Sequence, residues 1–304
     1  MHDDKGKETG TPARNRVAAI ILPAVFVVLW STGFVFAKLG LPHVGPFTFL
    51  EIRYVIVIAL LTLLSLVTAA PWPRRDQLLP ISIGGLLVHA GYLGGVFAAI
   101  SVGVEAGVAA LVAGLQPVLT AALAGPFLGE TVSRRQWLGL ALGFAGVILV
   151  VHTKLGLGLG TPFGMALSAF AMLSITAGTL WQKRYCGGMD LRTGSVVQFT
   201  ASAIITLPLA WGLEGLRVEW APNLIVALAW LCLVLSIGAI TAMFILIRRG
   251  KAAEVASLFF LVPPTTALIA WVMFHETLEP LSMVGMTLVV FAVAIVTWRP
   301  RAKV

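Results

Sequence analysis

Apolar residues along this chain gather into ten long runs, roughly one every 30 residues, from Val17 to Trp298. Hardly any polar sequence separates them. A bilayer core about 30 Å thick is crossed by about 20 apolar residues in a helix. Segments near 17–37, 47–69, 78–100, 104–127, 136–153, 162–182, 192–213, 222–246, 251–274 and 280–298 come close to that length. The pattern predicts an all-α polytopic membrane protein with ten transmembrane helices. The first segment, about 21 residues long, exceeds the 7–15-residue core of a signal peptide and has no A-x-A-like site after it, so it reads as a retained helix.

Composition sharpens this picture. Hydrophobic residues make up 59% of the 304 and charged residues 11%, against about 25% charged in soluble domains. Mean hydropathy is +0.96. The loops are too short to hold a folded catalytic domain outside the bilayer.

The net charge of +8 would suit an anionic partner such as nucleic acid, but its distribution reads better as topology. With the amino terminus inside, 17 of the 21 Lys and Arg fall on the inner side, among them Arg74, Arg75, Arg134, Arg135, Arg248 and Arg249. Lys38, Lys154 and Arg217 fall outside, and Arg53 lies within the second segment. Cationic residues concentrate in cytoplasmic loops, so both termini are expected in the cytoplasm. The two cysteines, Cys186 and Cys232, read as packing residues, and neither a metal site nor a cofactor is expected.

The chain also repeats itself. Gln116-Pro117, Gly129-Glu130-Thr131 and Gly139 are answered by Val262-Pro263, His275-Glu276-Thr277 and Gly285 at an offset of 146 residues. Gly33 and Lys38 are answered in nearly the same register by Gly178 and Lys183. Five crossings per half, an odd number, turn the second copy upside down. The expected organisation is a cytoplasmic tail (1–16), a first five-helix repeat (17–153), a second, inverted five-helix repeat (162–298) and a short cytoplasmic tail (299–304). Inverted repeats of this kind characterise many secondary transporters, whose halves rock about a midplane site.

The run Leu29-Trp30-Ser31-Thr32-Gly33-Phe34-Val35-Phe36-Ala37-Lys38 resembles the opening motif of EamA-type members of the drug/metabolite transporter superfamily. Arg53, the stretch from Ala98 to Ala110, the run Pro117…Leu128-Gly129-Glu130…Gly139…Gly143…Gly146 and its echo Pro263…His275-Glu276-Thr277…Gly285 extend the resemblance over essentially the whole chain. It implies ten helices in two inverted repeats, a central cavity and export of small metabolites across the inner membrane. Known members move amino acids, other metabolites and drugs. Glu105, in the turn between the third and fourth segments, departs from the family pattern.

Polar and aromatic residues inside the apolar runs are the candidate site. A charge in the bilayer costs several kcal/mol, about 2.5–3.5 on insertion scales. Arg53 therefore reads as a substrate-carboxylate ligand, an interhelical partner or a snorkelling residue. Glu51, about 200° away around the helix, does not share its face. His89 and Tyr92 are neighbours at i, i+3, and His89 either couples a proton to transport or bonds a backbone carbonyl. Gln116, and Gln198 with Ser195 and Ser202, supply uncharged partners on inward-turned faces. Trp30, Ser31, Tyr92 and Trp181 complete the substrate-binding candidates, Trp181 alternatively as an interfacial anchor. Pro117 and Pro263 should bend or break their helices, as hinges or as fixed kinks. Glu130 and Glu276 read as structural groups at helix starts.

The leading function is a non-enzymatic secondary transporter exporting small metabolites, amino acids or drug-like compounds, by alternating access. A lipid-linked-sugar translocase and a membrane-embedded lipid enzyme are the alternatives. The histidines (His2, His43, His89, His152 and His275) are dispersed, and neither H-E-x-x-H nor G-x-S-x-G is present. The expected partners are a small-molecule substrate and membrane lipids, with no nucleic acid. Proton coupling stays open, as does the choice between monomer and homodimer.

Overall fold

The computed structural model describes residues 12–104, 106–155, 160–274 and 280–297. Glu105, Gly156 and Gly158, His275, Glu276 and Thr277, Trp298, residues 1–11 of the first tail and the whole 299–304 tail lie outside the described residues. The described residues are helical apart from short connections and one isolated antiparallel bridge, Val44 to Val218.

The chain runs through α1 (Pro12–Gly40) and α2 (Pro46–Val67) into a composite helix of α3 (Arg75–Gly85), a π segment (Leu86–Leu93) and α4 (Gly94–Ser101). Then come α5 (Ala106–Ala113), α6 (Gln116–Leu128) and α7 (Arg134–Leu155). The second half holds α8 (Pro162–Tyr185), α9 (Leu191–Glu214) and a composite of α10 (Pro222–Trp230), a second π segment (Leu231–Ala239) and α11 (Ile240–Arg249). It ends with α12 (Ala252–Ser257), a 3-10 turn (Leu258–Leu261), α13 (Val262–Phe274) and α14 (Pro280–Thr297). Eight of these helical stretches are long and apolar enough to cross a membrane, and α6 is a shorter apolar helix. The protein is a multi-pass membrane protein.

The prolines act at the expected places but by ending and restarting helices rather than by bending them. Residues 114 and 115 form a turn, and Pro117 occupies the first turn of α6. Pro263 likewise sits in the first turn of α13, after the 3-10 link. There the missing N–H costs nothing, because the first-turn donors have no intrahelical acceptor anyway. The π segments fall 145 residues apart at their starts, so the two composite helices carry the same irregularity.

Pairs of helices related by the repeat lie antiparallel. On α2 and α9, Glu51 accepts a hydrogen bond from Thr206 while Arg192 donates to Thr68 at 2.7 Å. At the far end Glu214 caps α2, its Oε1 accepting from Phe47 N (2.9 Å) and its Oε2 from Thr48 N (2.6 Å). This carboxylate satisfies donors that the N-cap Gly45 cannot. On α7 and α14, a methyl added at Gly139 would stand 2.7 Å from Val296 Cγ2, and one at Gly285 would stand 2.7 Å from Gly146 O and 2.8 Å from Val150 N. Shifted by one repeat, the first contact becomes the second. Small residues let these backbones touch.

Candidate functional site

Three elements meet at Trp30. Its ring stacks on Tyr92 of the first π segment (centroids 6.1 Å apart, planes at 18°) and meets Phe259 of the 3-10 link edge-on at 5.2 Å. Phe26, one turn earlier on α1, closes the cluster at 5.3 Å from Trp30. Trp30 and Tyr92 form the floor of a cleft walled by Gly33, Phe34 and Ala37 of α1, by Val96 and Phe97 of α4, and by Leu235 of the second π segment. The cleft holds about 30 Å³ of free volume, enough for a water and far below the 300–1,000 Å³ of a typical ligand pocket. Its lining runs from Trp30 and Tyr92 to Ala37 and Phe97, toward the end of the bundle that carries the 41–45 turn. A methyl at Gly33 would come within 3.1 Å of Leu235 Cδ2, so the Leu235 side chain would have to give way.

A polar centre lies behind the same walls. Arg53 is fully buried, and its Nε donates to Ser236 Oγ at 2.8 Å. Ser236 in turn donates to Leu231 O at 2.9 Å, five residues back, as the π geometry allows. Arg53 therefore does not snorkel. Tyr54 donates to His89 O at 2.9 Å. The His89 ring stacks on Phe199 of α9, 4.1 Å between centroids, with Gln198 alongside. Gln198 Nε2 donates to Gln182 Oε1 at 2.9 Å. Ser195, Gln198 and Ser202 are all buried, so the stripe on α9 faces inward as its spacing implies.

The remaining candidates stand elsewhere. Ser31 turns toward α13, its hydroxyl 2.7 Å from Val27 O and 3.4 Å from Val262 O. Gln116 holds α6 to α8, donating to Thr179 Oγ1 at 3.3 Å. These two residues tie down the helix breaks rather than line the cleft. Trp181 donates to Pro80 O at 2.8 Å and packs on Tyr185, near the opposite end of the bundle.

At that opposite end Glu130 bridges the two halves of the chain. Its Oε1 pairs with Lys183 Nζ at 2.6 Å, and its Oε2 accepts from Ala252 N at 2.9 Å. Lys183 also donates to Gly250 O. Glu130 thus caps α12, in the other half of the chain. The helix that follows it, α7, has its own cap, in which Ser133 Oγ accepts from Gln136 N and Gln136 Oε1 from Ser133 N. Nearby, Asp190 caps α9 by accepting from Arg192 N at 2.9 Å. The Arg192 guanidinium bonded to it holds its carboxyl below the usual carboxylate range. Burial pushes the Cys186 thiol up to about 11.

Sequence reasoning missed Ser236, Phe259, Gln182 and Glu214. For Glu214 a signal exists, since an acidic residue ending one apolar run can serve the start of its antiparallel partner. For Ser236 and Phe259 there is none, because local π and 3-10 geometry aims them.

A family model described as the EamA-like transporter family matches residues 17–152 and again 162–298. The Bacillus subtilis "Uncharacterized transporter YvbV" is 25% identical over 93% of this chain and 92% of its own length. The Salmonella typhimurium "Probable amino-acid metabolite efflux pump" is 27% identical over 88% and 91%. One solved crystal structure superposes with a TM-score of 0.76 at 19% identity, covering 92% of this chain and 97% of that one, a likeness of fold.

Proposed function

The chain belongs to the EamA-like transporter family, and from that premise we propose that it is a secondary transporter exporting small, partly apolar metabolites by alternating access across the inner membrane. The observation that carries this reading is the reciprocal packing of α7 against α14, in which Gly139 with Val296 is repeated as Gly285 with Val150. Two halves that meet through one surface used twice, in opposite senses, can exchange conformations. The cleft then opens first at one end and then at the other. On this reading α5–α6 and α7 add two crossings to the eight long apolar stretches, ten in all.

The Glu130–Lys183 pair ties the two halves together at one end of the bundle. The aromatic floor suits a cargo with a planar or apolar body, and the relatives named as amino-acid metabolite efflux pumps favour amino acids or similar compounds. Purified protein in sealed vesicles tests the reading. Preloaded, labelled amino acids should leave unmodified and faster than from protein-free vesicles loaded in the same way, and the Trp30→Ala variant should lose most of that flux. A chemically altered product without net flux would instead indicate a membrane enzyme.

A further inference from the structure

Arg53 brings a positive charge into α2 without an acidic partner among the described residues. Its Nε is bonded to Ser236, but Nη1 and Nη2 have no hydrogen-bond partner and are screened from solvent. Glu51, the nearest carboxylate along α2, is taken by Thr206. The neighbouring Tyr54 hydroxyl is turned to donate to His89 O and makes no bond to Nη1 or Nη2, and the Cys232 thiol points at the carbonyl of Arg53. The Gln198 side chain lies beside buried His89 without reaching full hydrogen-bond geometry, so both ring nitrogens and Gln198 Oε1 are left short of a bond. A guanidinium in a water-poor core is stable only when its charge is answered.

Two π segments bring this centre together. One presents Ser236 next to Leu235, a cleft wall, and the other presents His89 one turn before Tyr92, the cleft floor. Fixed at Nε by Ser236, the guanidinium offers its Nη1–Nη2 edge, the fork that matches the two oxygens of a carboxylate. We propose that Arg53 is the carboxylate anchor of the transport pathway: its free Nη edge, with a ring N–H of His89 beside it, binds the carboxylate of a cargo whose apolar body lies against Trp30 and Tyr92. The source of the carboxylate rests on the transport reading, whereas the anchor itself does not. The group reaches Arg53 when the wall at Leu235 and Tyr92 parts.

Calorimetric titration of the purified full-length protein in lipid nanodiscs tests this with three probes. Benzoate carries the ring and the carboxylate, benzyl alcohol the ring alone, and acetate the carboxylate alone. Benzoate should bind at least about tenfold more tightly than benzyl alcohol, a difference of about 1.4 kcal/mol. Arg53→Gln should erase that preference, and Arg53→Lys, which keeps the charge but not the fork, should leave part of it. Equal affinity of the unmodified protein for benzoate and benzyl alcohol would overturn the anchor, whether or not either variant folds. Acetate binding as tightly as benzoate would overturn the assignment to cargo and point to a free anion. Titration needs no flux, so benzoate binding by a protein that moves nothing would sink the transport reading while the anchor survives.

Discussion

At the residue scale, the aromatic floor and the helix seams separate candidates that look alike in sequence. Trp30 and Ser31 are adjacent, yet Trp30 faces Tyr92 while Ser31 faces Val262. Trp30→Ala should therefore reduce flux per folded molecule by about tenfold or more. Ser31→Ala should cost about 1 kcal/mol of stability and leave flux per folded molecule unchanged, as vesicle efflux normalised to folded protein would read. Asp190 supports a pH prediction. Its folded carboxyl titrates below the ordinary value of 3.8, so its stabilisation is present in full above that value and is lost as the pH falls through the folded one. Melting curves of Asp190→Asn should lose part of the acid-side drop seen in the parent, with most of the cap retained because Asn is also a good N-cap. Arg53, His89 and Gln198 stood out in the sequence because polar groups are costly in lipid. Their convergence did not, because it depends on how far two π segments rotate their helices.

At the element scale, eight of the ten apolar runs fall on helical stretches long and apolar enough to cross a membrane, since the bilayer fixes the length such a run needs. The breaks at Pro117 and Pro263 were legible because proline has no N–H to donate. Each π segment reads in sequence as more apolar helix. Nothing in Leu86–Leu93 or Leu231–Ala239 distinguishes an i→i+5 bond from an i→i+4 bond in advance. Close packing supplies a test at this scale. A methyl at Gly85 would stand 2.6 Å from the backbone of Gln198, whereas one at Gly188 would meet nothing within 4 Å. Gly85→Ala should destabilise by about 1–3 kcal/mol and lower the thermal midpoint in detergent. Gly188→Ala should leave that midpoint nearly unmoved.

At the scale of the whole molecule, duplication was the most legible feature, because three motifs shared one offset. The sequence also put Glu130 at a helix start, but not at the start of a helix in the other half. That pairing arises only when the halves close against each other. Lys183 and Glu130 retain side-chain exposures of 21% and 15%, so the pair is a latch of modest strength. A double-mutant cycle with Glu130→Gln and Lys183→Met should give a coupling of about 0.5–1 kcal/mol in thermal melts, and each single change should speed opening of that end to a water-soluble thiol reagent. Background labelling should be low, since Cys186 and Cys232 are buried and the raised Cys186 thiol is un-ionised at neutral pH.

The account depends most on the second half being an upside-down copy of the first. Thr131→Cys and Thr277→Cys, which occupy matching places in the two repeats, test it directly through labelling of intact cells with a membrane-impermeant maleimide. Thr277→Cys should be labelled from outside, and Thr131→Cys only after the cells are opened. Labelling of both positions from the same side of the membrane would contradict the inversion and, with it, the alternating cleft.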